Sequence, residues 1–378
     1  MEQNDTTIPN QPQADAIRSL LIPDSQTVRQ FYSPLRHLLF GFEAQDIHCC
    51  VVVPPESRIE SFLWPGIEII EYPAWQFPLF YKQNRRRLVS QVEKFQPTII
   101  HCLGTGRILL AKALGRAFNI PVVLTVNSAG QSFLQRWTIR KGFSAVVVPS
   151  ERIAELFKKH NSRIASRVQQ VNTGIFVDET CACFSQPGRI PSMIVVSDFL
   201  RFGDLEPFLN AVRHIVVNGY EFLVVLMGNG PADRDIRKFI HSVGLDDIVN
   251  ISPQVGPLRA IFRSTDIFVQ PCVTENFDSA MLEAAGAGAA IAADKGNADG
   301  LLQDNVTAVL FDNHDELSIC SALQKLLNDR EVAKSLASAA QNYLRSSHSV
   351  SSMVENLLKI YTHTGDSIFP AGQQLLKG

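Results

Sequence analysis

Short apolar runs separated by stretches of helical spacing recur along the whole chain, and this alternation is the strongest constraint on its fold. Residues 17–23, 47–53, 97–101, 121–126 and 145–148 in the first half read as buried strands. So do 193–196, 222–227, 248–251, 267–269, 289–293 and 307–311 in the second half. Residues 28–42, 79–94, 206–217, 279–287, 315–329 and 331–346 are expected to be helices. Such repetition builds parallel sheets covered by helices, a doubly wound α/β architecture. At 378 residues the chain is long enough for two domains, each with its own core. The expected division is a polar leader at 1–15, a first domain at 16–175, a linker at 176–192 containing Pro187, Gly188 and Pro191, a second domain at 193–361, and a tail at 362–378.

The stretch 269–288 organises the second half. An apolar strand closes at Pro271, a polar loop follows, and an Ala-, Leu- and Met-rich helix begins near Ser279. Glu275 lies in the loop and Glu283 about one turn into the helix. Backbone N–H groups at a helix N-terminus favour an anion such as phosphate, and carboxylates nearby accept hydrogen bonds from sugar hydroxyls. The turn sits at the C-terminal end of a strand, where open parallel sheets bind ligands. The alternative is a pair of surface charges at an unremarkable spacing.

These residues resemble the E-x7-E signature of the retaining glycosyltransferases of family 4. Leu226-Met227-Gly228-Asn229-Gly230-Pro231 is similar to that family's glycine-rich strand end, and residues 261–271 to its next helix and strand. The resemblance implies a GT-B fold, two Rossmann-like domains facing across a cleft, with the tail crossing back to the first domain. It also implies a nucleotide-sugar donor, a glycan or lipid-linked acceptor, and no metal or other cofactor. Carried over residue by residue, Glu275 and Asn127 fall at catalytic positions facing the donor sugar. Glu283 falls at the ribose position and Arg201 beside the diphosphate, with Gly228, Asn276, Phe277, Asp278 and Ser279 completing the donor site. The sequence departs from the family at several of these places. Asn127 stands where a histidine is usual, and Ser197-Asp198 where an arginine is usual. The loop Asp24-Ser25-Gln26-Thr27 has no glycine, and Asp278 puts an acid where the anion is expected. Three functions stay open: sugar transfer, binding of a partner or nucleotide sugar without transfer, and nucleotide-sugar epimerisation.

Composition narrows the remaining choices. A net charge of −2 gives no general bias toward nucleic acid. Residues 1–190 nevertheless hold 21 Lys and Arg against 15 Asp and Glu. Within them, Arg85-Arg86-Arg87 and the stretch 133–141 mix cations with apolar side chains, read either as a peripheral membrane contact or as a solvated basic face. Seven scattered cysteines fit reduced thiols in a cytoplasmic protein, at most peripheral at the inner membrane face. Asp233-Arg234-Asp235 matches a metal-binding pattern but opens a helix, where acids suit the dipole, and is read as structural. His101, at a strand end, either lines the cleft or is structural.

Overall fold

The computed structural model describes residues 17–55, 66–73, 78–253 and 258–366. The expected leader, the loop residues 56–65 and 74–77, and the end of the tail lie outside these residues.

The first half alternates β1 (Arg18–Pro23), α1 (Ser25–Gln30), α2 (Tyr32–Ala44), β2 (His48–Val53), β3 (Ile67–Glu71), α3 (Pro78–Phe95), β4 (Ile99–Leu103), α4 (Ile108–Phe118), β5 (Val122–Thr125), α5 (Phe133–Ile139), β6 (Ala145–Val148), α6 (Glu151–His160) and β7 (Val168–Gln170). Among the described residues the sheet runs β3-β2-β1-β4-β5-β6-β7, with every pair parallel. Side chains alternate across it. Leu20, Ile22, Cys50 and Val52 pack beneath α3, α4 and α6, while Leu21, Cys49, Val51 and Val53 face α2.

The second half contains β8 (Ser192–Val196), α7 (Glu206–Val217), β9 (Leu223–Met227), α8 (Asp233–Ser242), β10 (Val249–Ser252), α9 (Arg259–Phe262), β11 (Ile267–Gln270), α10 (Ser279–Ala287), β12 (Ala290–Asp294), β13 (Val309–Phe311), α11 (Glu316–Asn328), α12 (Arg330–Ser347) and α13 (Val350–Asp366). Its sheet order is β10-β9-β8-β11-β12-β13, again parallel. Helices α7, α8 and α11 cover one face; α9, α10 and the end of α12 cover the other. Both sheets are therefore doubly wound, and the expected GT-B architecture is present.

Three boundaries differ from the sequence expectation. The helix expected at 28–42 is two helices. They break at Phe31, whose buried ring fixes a non-helical turn at φ −114° and ψ 33°. Residues 176–192 do not form a free linker: Cys183 and Phe184 enter the second core, and the Phe184 N–H donates to Asp266 Oδ1 at 2.8 Å. The return to the first domain begins at Val350 rather than after Thr362. Val354, Leu357 and Ile360 of α13 are buried with α2 against the first sheet. Helical spacing alone does not tell which domain a helix covers.

Leu357→Ala tests that last point. It is expected to cost about 2–5 kcal/mol, with the lost amide-exchange protection appearing in β1 and β2. Loss confined to β8–β13 would contradict the packing.

Candidate active site

The carboxyl ends of the two sheets face each other, and the two loops of interest meet there. β5 delivers Asn127, Ser128 and Ala129; β11 delivers residues 271–278. The loops pair through their main chains. The Phe277 N–H donates to the Asn127 carbonyl at 2.8 Å, the Ala129 N–H donates to the Glu275 carbonyl at 3.0 Å, and Ser128 and Asn276 form an antiparallel bridge. Glu275 is exposed in this loop, with its carboxylate against Gly130. A methyl group on Gly130 would fall 2.2 Å from Oε2, so a larger residue there would push the carboxylate aside.

The bridge separates two interdomain cavities. One, of about 170 Å³, is lined by Asp24, Thr27, Thr105, Asn127, Gln131 and Asn276. The other, of about 430 Å³, is lined by Arg152, Asn172, Phe277, Asp299, Tyr343 and His348 among others. Asn297, which sequence reasoning missed, holds the Glu275 loop in place. Its Nδ2 donates to the Cys272 carbonyl at 2.9 Å, and its Oδ1 accepts from the Thr274 N–H at 3.1 Å.

Glu283 is no surface charge. It is 4% exposed on a helix whose residues are all buried. Oε2 accepts from Arg259 Nη1 at 3.2 Å, and Arg259 also pairs with Asp178 at 2.9 Å. Oε1 makes no hydrogen bond of good geometry among the described residues, although the Ser33 side chain lies close enough to help stabilise the carboxylate. His37 Nδ1 lies 3.9 Å away but donates to the Gly174 carbonyl at 3.1 Å. Burial pushes that imidazole down to about 4, so His37 is neutral near pH 7 and is no counter-ion. Burial also raises the Glu283 carboxyl, against the pull of Arg259.

The helix N-terminus expected to receive phosphate is already capped. Asp278 Oδ1 accepts from the Ala280 and Met281 N–H groups at 2.9 and 3.0 Å, and Oδ2 accepts from Gln270 Nε2 at 2.7 Å. Desolvation, opposed by these bonds and aided by Asp198, pushes this carboxyl up to about 6. The first domain reaches the same place through Gln30 at the end of α1. Its carbonyl accepts from Ser279 Oγ at 2.6 Å, and its amide donates to both Asp198 oxygens at 2.9 and 3.1 Å. Helix α1 replaces the expected loop because Asp24 caps it, accepting from the Thr27 N–H at 2.7 Å and from the Gly106 N–H at 2.8 Å. Arg201 stands away from this cluster, its side chain 81% exposed and paired with Asp204 at 2.9 Å. Gly228 ends β9 so tightly that a Cβ would lie 1.7 Å from the Ser197 carbonyl oxygen, which gives it a packing role.

His101 is structural. Both ring nitrogens are engaged, with Tyr361 and Thr125 at 2.6 Å, and burial pushes its pKa down to about 3. Asp233 opens α8 and pairs with Arg237 at 2.9 Å. No spacing rule in the sequence points to Gln30, Asn297 or Arg259, because each acts through a partner distant in the chain.

Comparison with known proteins agrees with this architecture. The profile described as "Glycosyltransferase Family 4" matches residues 35–179, and that described as "Glycosyl transferases group 1" matches residues 189–343. The chain belongs to glycosyltransferase family 4. Among its family relatives, the sulfoquinovosyl transferase SQD2 of Arabidopsis thaliana is 24% identical over 322 residues, 77% of this chain and 62% of that protein. A GDP-mannose-dependent alpha-(1-6)-phosphatidylinositol monomannoside mannosyltransferase of Mycobacterium tuberculosis is 30% identical over 167 residues, 42% of this chain and 43% of the relative. The chain thus spans less than two thirds of the length of these relatives. In fold, it superposes on the crystal structure of Anabaena Alr3699/HepE in complex with UDP and glucose. The TM-score is 0.76 at 13% identity, covering 92% of this chain and 99% of that one.

The raised Asp278 pKa has a testable consequence. A carboxyl that titrates higher in the folded than in the unfolded chain loses stability as pH rises between the two values. Relative to Asp278→Asn, which keeps an acceptor for the cap, the wild-type chain is expected to lose about 1–3 kcal/mol between pH 4 and pH 6 and little more above. Parallel pH dependence of the two proteins in denaturant unfolding would refute the assignment.

Proposed function

We propose that the protein transfers a sugar from a nucleotide-diphosphate sugar to an acceptor held on the first-domain side of the cleft, with retention at the anomeric carbon. The observation that carries this reading is the main-chain pairing that sets Glu275 against the loop of Asn127–Ala129. It sets a carboxylate of the second domain against Gly130, which with Asn127 lines the smaller cavity, as a sugar held between the domains needs. The spare acceptor capacity of the Glu283 carboxylate fits it, because a ribose hydroxyl reaching Oε1 would add a donor.

In this reading Glu275 accepts hydrogen bonds from donor-sugar hydroxyls and stabilises positive charge at the anomeric carbon as the bond to the diphosphate breaks. Asn127 bonds a sugar hydroxyl from the opposite side. It has no basic role, since a carboxamide does not take up a proton near neutral pH. The acceptor hydroxyl attacks on the face the diphosphate leaves, and its proton passes to the departing phosphate oxygen. Ser279 and the loop N–H groups, with Arg201 swung in from the rim, meet the leaving group's charge instead of a metal ion. The acceptor, a glycan or a lipid-linked group, lies in the cavity lined by Thr105 and Gln131. Relatives named for sulfoquinovosyl and mannosyl transfer, and a neighbour holding UDP and glucose, support a nucleotide-sugar donor.

A second reading, donor or partner binding without transfer, is favoured by one observation. Gln30 bonds Asp198 and Ser279, and Asp278 is held by Gln270 and its own helix N–H groups, at the place where a diphosphate would meet cations. Product formation separates the two. Purified protein should be stabilised thermally by one of the UDP-, GDP- or ADP-sugars and should release nucleotide from it when an acceptor is present. Glu275→Gln should lower turnover about 100-fold or more with donor affinity nearly unchanged. Glu283→Gln should weaken donor binding about tenfold, the loss of one hydrogen bond to a charged group. Binding without product would select the second reading, and neither binding nor product with any donor would overturn the first.

A further inference from the structure

From Lys94 to Ser150 the chain contains no aspartate or glutamate, against seven lysines and arginines. Acids make up 37 of 378 residues overall, so a stretch of this length would ordinarily hold five or six. Arg107 is buried, bonded to the Val52 and Tyr72 carbonyls, and Lys94 ends α3, but the other five, Lys112, Arg116, Arg136, Arg140 and Lys141, lie on or just after α4 and α5. The two helices are tied together at both ends. Gln135 Nε2 donates to Thr105 Oγ1 at 3.0 Å, just before α4, and Lys112 Nζ donates to the Thr138 carbonyl.

The same surface exposes large apolar side chains. Leu109 on α4 is 72% exposed, and Leu134 and Trp137, three apart on the outer face of α5, are 73% and 64% exposed. Single exposed apolar side chains are ordinary, but three on adjoining helices beside cations form a mixed patch. Arg140 and Lys141, three and four residues after Trp137, are exposed. Below them, at the strand ends away from the cleft, a groove of about 470 Å³ is lined by Lys112, Arg116, Asn119, Gly142, Ser144 and Arg167 among others, none of its lining residues acidic. Helix α3, on the same side of the sheet, adds exposed Arg85, Arg86 and Arg87. No helix among the described residues is long and apolar enough to cross a membrane.

We propose that the outer face of α4 and α5 docks onto an anionic lipid bilayer. Leu109, Leu134 and Trp137 enter the interfacial region, and the surrounding lysines and arginines meet lipid phosphates. Charge complementarity selects this occupant over a generic protein partner. The acid-free stretch offers no salt-bridge acceptor, and an apolar tip ringed by cations matches a headgroup layer above acyl chains. Both the surface and the cleft own Thr105 and Gln135, which line the 170 Å³ cavity. Docking therefore sets the cavity mouth beside the bilayer, where a lipid-borne acceptor would enter. That last consequence rests on the transferase reading; the docking does not.

Co-sedimentation of the full chain with vesicles tests it. Binding is expected to vesicles of phosphatidylglycerol and phosphatidylcholine, weakly to phosphatidylcholine alone, and to fall with added salt. Arg140→Gln with Lys141→Gln should lower the partition coefficient about 25-fold, at about fivefold per cation. Leu134→Ser with Trp137→Ser should abolish binding to mixed vesicles, while thermal unfolding stays at the wild-type temperature because both side chains are exposed. Absence of binding to anionic vesicles, binding insensitive to both variants, or self-association in solution that the same variants abolish would overturn the proposal. Donor binding in the cleft should be unaffected by either variant, so this outcome is independent of the test of transfer.

Discussion

The functional half of this molecule depends on a few main-chain hydrogen bonds between two loops that are far apart in sequence. The backbone of Asn127 and Ala129 pairs with that of Glu275 and Phe277. Main-chain pairing does not depend on side-chain identity, so it fixes where the loops meet while leaving the side chains free for chemistry. Everything nearby serves that meeting. Asn297 braces the Glu275 loop, Gly130 makes room for its carboxylate, and the buried helix α10 anchors the other end at Glu283.

The charges around this meeting are arranged unusually for a diphosphate site. Two carboxylates, Asp198 and Asp278, lie where cations or bare N–H groups would help a leaving group, and neutral Gln30 ties Asp198 and Ser279 to the first domain. Gln30 takes Asp198 and Ser279 as hydrogen-bond partners without an external anion, although Asp198 is exposed and Gln30 half-buried. On the transfer reading proposed above, a donor diphosphate would displace Gln30 from Asp198 and Ser279, and Arg201 would leave Asp204. Gln30 thus links the two domains at this point, and on that reading donor binding would exchange one set of hydrogen bonds for another.

Much of the fold was legible from alternating strand and helix patterns, because buried parallel strands carry a strong apolar signal. The strand–turn–helix around 269–288 was legible for the same reason. What escaped were the features set by tertiary partners. Phe31 breaks a helix because its ring is needed in the core. Helix α13 returns to the first sheet because its apolar face matches α2, and residues 181–184 pack into the second core. At the site, the sequence placed both glutamates correctly on loop and helix, and the structure adds that Glu283 is buried and paired. It could not show that Arg201 would face solvent, or that Gln30 would reach across the cleft, since neither is encoded in local spacing.

The most direct test of the central claim, that the two loops form one donor site, is hydrogen exchange of the wild-type chain with and without the nucleotide sugar that stabilises it. The account predicts slower exchange in 127–131 and in 274–283 together, at the same donor concentration. Protection of one segment without the other, or protection confined to surfaces outside the cleft, would contradict it.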